Sequence, residues 1–325
     1  MAGTLENLVG ELRRGGHLDD PRAAFLLRVV RGELVSVRLE LQLLLYAGVL
    51  LVTAGVGILV KNHYNQLGPV TIAAGLLAGA AACLVWSWRV APPFMREAVP
   101  SPNLAFDYVL LLGLLLLGSW LAYAEYNFAL LGESWPWHLL LVSLIYLAAA
   151  YRFDSRTVLS LALTTFAAWR GVAVSFPFRW AEHAPQVIRL NALGCALLFL
   201  AAGWATWRAG IKEHFEEIYG HVGLLLLFGG LLSGTIGTTG MTLVEYGWAA
   251  LLAIAVWVVI VLSLHLERVS WFAYALVAAW LGFLRVVPWW SFGLGILGPQ
   301  IIAASALVVI LVILRMRKRM HGEDE

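Results

Sequence analysis

Residues 246–266 read YGWAALLAIAVWVVIVLSLHL and hold no Asp, Glu, Lys or Arg. A helix of that length spans the hydrocarbon core of a bilayer, which takes roughly 17–25 residues at 1.5 Å each. The stretch is not unusual in this chain. Of 325 residues, 61% are hydrophobic and 13% charged, and the mean hydropathy is +0.81. Soluble domains are about half apolar and a quarter charged. A water-soluble fold of this size would be left with apolar surface it cannot hide, so lipid is the natural solvent. The fold class expected is an all-α polytopic bundle.

Working outward from this stretch, ten apolar segments are expected to span: 43–60, 69–88, 105–123, 137–151, 157–174, 187–207, 222–238, 246–266, 269–287 and 293–314. Nine spans is the main alternative. The fourth is short and starts after Pro136. The seventh ends among glycines and threonines, so it is expected to break early. The organisation expected is a cytoplasmic, juxtamembrane helical segment at 1–41, a membrane domain at 42–315 and a cytoplasmic tail at 316–325. The first forty residues lack the short apolar core of a secretory signal, so the first span would stay as an uncleaved anchor.

Charge sets the orientation. With ten spans and the N-terminus inside, 17 of the 22 Lys and Arg fall on the inner side. Lys61, Arg170, Arg179, Arg189 and Arg285 fall outside. That bias fits the positive-inside rule, and a missed span would scramble it. Trp86, Trp88, Trp204, Trp207 and Trp271 fall at inner ends; Trp135, Trp137, Trp169, Trp248, Trp289 and Trp290 fall near outer ends. Indole rings favour the headgroup level. A multi-pass membrane protein with both termini cytoplasmic is therefore expected. The net charge of +2 indicates no nucleic-acid partner. The bilayer itself is the expected partner, with anionic lipid at the basic N-terminal helix and at the tail Arg315, Arg317, Lys318, Arg319. Cys83 and Cys195 lie in apolar runs and read as buried thiols.

The segment ELRRGGHLDD (11–20) leads into the first hairpin, YAGVLLVTAGVGILVKNHYNQLGP (46–69). With Gly48, Gly55, Asn62 and the turn through Pro69, this resembles the bacterial membrane family called domain of unknown function 2157. The family's tryptophan after the asparagine is replaced here by His63 and Tyr64. AYAEYNFALLGESWPWHLLLVSLIYLAAAYR (122–152) has the same look. The resemblance covers roughly the first half. It implies a polytopic protein and supplies no reaction and no cofactor.

Ionisable residues near outer helix ends form the candidate ligand site: Arg170, Arg285, Glu245, Glu125 and His138, with Asn62 and Thr238. A charge near the end of an apolar span costs a few kcal/mol unless it faces the bundle, reaches the interface or meets a carboxylate. Glu125 and Glu245 are candidate partners for the arginines. The plain alternative is solvated loops with snorkelling arginines. His214, Glu217 and His221 share a helical face and are a candidate metal set, although the two histidines lack the H-E-x-x-H spacing. Asp107 suits a helix start. Gly75 with Gly79, and Gly230 with Gly234, allow close helix approach.

No nucleotide loop, nucleophile elbow or paired-cysteine signature occurs, so the sequence points away from an enzyme without closing that class. The leading expectation is binding or transport of a small polar or lipid-derived molecule. The alternatives are a non-catalytic scaffold subunit with protein partners, and an intramembrane lipid-modifying or metal-dependent enzyme.

Overall fold

The computed structural model describes residues 13–15, 19, 44–45, 47–52, 54–55, 57–58, 68–129, 132, 137–171, 184–235, 242–286 and 297–320. The chain divides into two compact units, Met1–Gln66 and Leu67–Glu325. In the first, Arg13 and Arg14 are helical, Gly15 turns, and the described positions between 44 and 58 are helical.

The second unit is helical throughout its described residues, apart from turns and connections. Its helices are α1 Pro69–Val90, α2 Leu104–Phe128, α3 Trp137–Phe153, α4 Arg156–Trp169, α5 Ala184–Ala209, α6 Phe215–Gly234, α7 Leu243–His265, α8 Val269–Val286 and α9 Leu297–Met320. They follow the second to tenth expected spans in order. Seven of them, all but α3 and α4, are long and apolar enough to cross a membrane. At 1.5 Å per residue, α4 is only about 21 Å long, the shortest of the set at 14 residues. Helix α9 continues through the basic run to Met320.

Local chemistry sets the ends. Pro69 opens α1, where its missing N–H is no loss. Asn103 caps α2 by accepting from the Phe106 N–H at 2.9 Å. Asp107 sits one turn in, as its dipole preference requires, and accepts from Ser101 Oγ at 2.6 Å. Ser155 caps α4. Thr242 and Glu245 close α7 with a reciprocal capping box.

Sequence neighbours pair as α1/α2, α3/α4, α5/α6 and α7/α8, and α9 packs on α8. Helix α6 also touches α4, α7 and α8, so it runs through the middle of the packing. Glycines let its neighbours in. A methyl placed on Gly223 would stand 2.9 Å from Leu200, and one on Gly234 would stand 2.5 Å from the Trp248 ring. Gly230 and Gly234 thus serve contacts inside the bundle, whereas Gly75 meets nothing within 4 Å.

The core forms two clusters. One gathers Phe106, Leu110, Leu114, Tyr146, Leu159 and Phe199; the other gathers Leu224, Phe228, Leu231, Leu252 and Val256. Cys195 is buried and both cysteines are free thiols. The outer surface is apolar as well. Trp257 is 67% exposed and Ile254 59%. Surface of that kind is stable only against lipid, and the chain is a multi-pass membrane protein.

Candidate functional site

The connections gather at two ends of the second unit. At one end meet the 91–103 segment, the α3–α4 turn, the α5–α6 connection and the start of α8. Asp154 ties them. It follows α3 with φ of 56°, a left-handed conformation that Asp tolerates better than most residues. One carboxylate oxygen accepts from the Val99 N–H at 2.5 Å and lies 3.0 Å from Lys212 Nζ. The other lies 2.6 Å from His214 Nε2. Lys212 Nζ also donates to the Glu97 carbonyl at 3.0 Å, and its N–H donates to the Arg96 carbonyl at 2.7 Å. The side chains are almost sealed, at 1% exposure for Lys212 and 6% for Asp154. Buried opposite charges persist only when paired and hydrogen-bonded. Arg152 adds a further tie, donating to the Pro92 carbonyl at 3.0 Å beneath the Trp88 ring. The sequence reading did not single out Asp154, since its partners lie 55 to 60 residues away.

The candidate metal set divides here. His214 turns to Asp154. Glu217 meets Arg156 at 3.3 Å and His221 at 3.7 Å. Among the described residues, no group of three or more His, Cys, Asp or Glu side chains is placed to hold a metal.

Beside this knot, a groove of about 360 Å³ opens between α5, α6, α7 and α8. Trp204 and Trp207 form one wall, Leu262 and Leu266 another. Glu216 and Arg268 lie in it as an ion pair at 2.7 Å. Trp271 packs against Gly220, where a methyl would come within 2.8 Å of its ring. The buried Trp271 Nε1 has no hydrogen-bond partner among the described residues. Arg268 reaches back to Glu216 at the start of α6.

At the opposite end, the predicted ligand residues are distributed. Arg170 donates to Asn191 Oδ1 at 2.8 Å, and Asn191 Nδ2 donates back to the Arg170 carbonyl at 2.8 Å. Arg285 Nε donates to the Thr235 carbonyl at 3.0 Å. Arg189 donates to the Ser233 carbonyl at 2.9 Å and stacks 5.0 Å from the Trp248 ring. Two arginines therefore converge on the carbonyl end of α6, where cations suit the helix dipole. Glu245 accepts from its own cap, the Thr242 N–H, at 2.6 Å. Glu125 lies in the last turns of α2, and His138 is buried near the start of α3. Asn62 and Thr238 lie outside the described residues.

No curated protein and no solved structure matches the chain. Residues 11–159 match the family model described as Predicted membrane protein (DUF2157), the same family that the first hairpin resembles in sequence.

Proposed function

We propose that this is a multi-pass protein of the bacterial inner membrane that binds a lipid-derived amphiphile, admitted sideways from the bilayer into the groove between α5, α6, α7 and α8. The observation that carries the reading is the Glu216–Arg268 pair set among tryptophan rings in an otherwise apolar wall. Ionised groups at the border of a membrane bundle mark places where polar ligands are met. Indole walls suit the boundary between acyl chain and head group. The groove's volume falls within the roughly 300–1,000 Å³ of small-molecule sites. The opposite end supports the reading less, because Arg170, Arg189 and Arg285 are taken up by Asn191 and by the end of α6.

In this proposal the 91–103 end faces the cytosol, since Arg89, Arg96, Arg152, Arg156, Arg208, Lys212 and Arg268 belong to it. Both termini then lie inside, and the basic last turn of α9, with Arg317, Lys318 and Arg319, attracts anionic lipid.

The test is photo-crosslinking in proteoliposomes with a phospholipid carrying a diazirine on its acyl chain, followed by peptide mapping. Adducts should concentrate on peptides holding Trp204, Leu262 and Leu266, and should fall in Leu262→Trp, which fills the groove from its half-open side. Uniform labelling of every lipid-exposed helix, unchanged in Leu262→Trp, contradicts the proposal.

A further inference from the structure

We infer that the groove selects a zwitterionic head group carrying a primary ammonium beside a phosphodiester, as in phosphatidylethanolamine. The inference rests on the reading of the groove as the amphiphile site and names what that site prefers.

The argument begins with charge. Glu216 and Arg268 form a pair of adjacent, opposite charges with no net charge of its own. A purely anionic head group gains Arg268 but confronts Glu216, and a cationic one meets the reverse. A zwitterion laid antiparallel to the pair satisfies both, its phosphate toward the guanidinium and its ammonium toward the carboxylate. Arg268 keeps donors beyond the one engaged by Glu216, because a guanidinium carries five N–H groups. The contact is charge-assisted on both sides, the stronger class of hydrogen bond.

Two further features narrow the choice. Trp271 Nε1–H is buried and unpartnered in the groove wall. A buried donor without an acceptor is costly, and a tilt of the ring away from Gly220 would bring it to a phosphate or ester oxygen in the groove. The ring of Trp207 lines the same space and offers a π-face to an ammonium, whereas the Trp204 ring already carries the Arg208 guanidinium at 6.0 Å. Between ammonium types, a primary amine donates hydrogen bonds to a carboxylate, whereas a trimethylated one cannot. Glu216 therefore favours ethanolamine over choline.

The experiment is native mass spectrometry of the full chain, delipidated in detergent and titrated with phosphatidylethanolamine, phosphatidylcholine and phosphatidylglycerol of identical acyl chains. For the wild type, phosphatidylethanolamine should bind at least about tenfold more tightly than the other two, the ratio given by one charge-assisted bond. Glu216→Gln should cut phosphatidylethanolamine binding and raise phosphatidylglycerol binding, inverting the order, a change that simple misfolding does not produce. Leu262→Trp should weaken all three. If the wild type prefers phosphatidylglycerol while Leu262→Trp still blocks binding, the head-group inference fails and the groove stands. If Leu262→Trp leaves every affinity unchanged, the groove itself is wrong. The wild-type ranking needs no variant, so the inference is tested even where Glu216→Gln does not fold.

Discussion

Replacing Asp154 with alanine removes the acceptor that joins the α3–α4 turn to two other connections. Lys212, at 1% exposure, keeps the Glu97 carbonyl but loses its counter-charge, and the Val99 N–H and His214 lose their acceptor. Breaking a buried pair by deleting one member costs about 3–5 kcal/mol, because the remaining charge cannot reach water. At roughly 2–4 °C per kcal/mol for chains of a few hundred residues, the melting midpoint should fall by at least about 6 °C. The assay is a temperature ramp on detergent-solubilised protein, read by the fraction surviving size exclusion. The double variant Asp154→Leu with Lys212→Met should lose less than the two single changes together, since no charge is then stranded. If Asp154→Ala melts within about 1 °C of wild type, or the double variant simply adds, the knot is not the buried, charge-coupled network its geometry indicates.

Other outcomes follow from the same contacts. Arg189→Ala and Arg285→Ala should each destabilise by about 1–3 kcal/mol through lost charge-assisted bonding at the end of α6, seen as a lower melting midpoint, while Arg189→Lys should recover part of the loss. Gly234→Ala should destabilise by about 1–3 kcal/mol through its clash with Trp248, whereas Gly75→Ala, which meets nothing within 4 Å, should melt at or above wild type. His214→Ala and His221→Ala should leave the metal content of purified protein unchanged by elemental analysis; loss of one equivalent in both would restore the metal reading.

The helices were legible because apolar runs as long as Tyr246–Leu266 have one low-energy form in lipid, with every backbone group satisfied inside the segment. The grouping of the basic residues was legible too. Arg96, Arg152, Arg156, Lys212 and Arg268, grouped by charge, do share one end of the bundle through contacts such as Lys212 with Arg96 and Arg268 with Glu216. The sites were less legible, because pairings between distant residues leave no local trace. Asp154 looks in sequence like one acid in a short turn, and only folding brings Val99, Lys212 and His214 to it. Glu245 is a different case. Thr242-x-x-Glu245 carries the local capping-box pattern, yet its charge near a span end drew attention to distant arginines. Trp271 was legible as an interfacial ring but not as an unpaired donor, which depends on how closely Gly220 admits it.

In the proposed topology, α2 carries the chain from the 91–103 end to the opposite side of the membrane. Ser101 precedes α2 and Tyr126 lies in its last turn, both exposed, Tyr126 at 84%. Single cysteines placed there, with Cys83 and Cys195 changed to alanine, can be probed with a membrane-impermeant maleimide. The account predicts that Tyr126→Cys is labelled in intact bacterial spheroplasts and Ser101→Cys only in inverted vesicles. Labelling of Ser101→Cys in intact spheroplasts, or of both sites from one side, would contradict it.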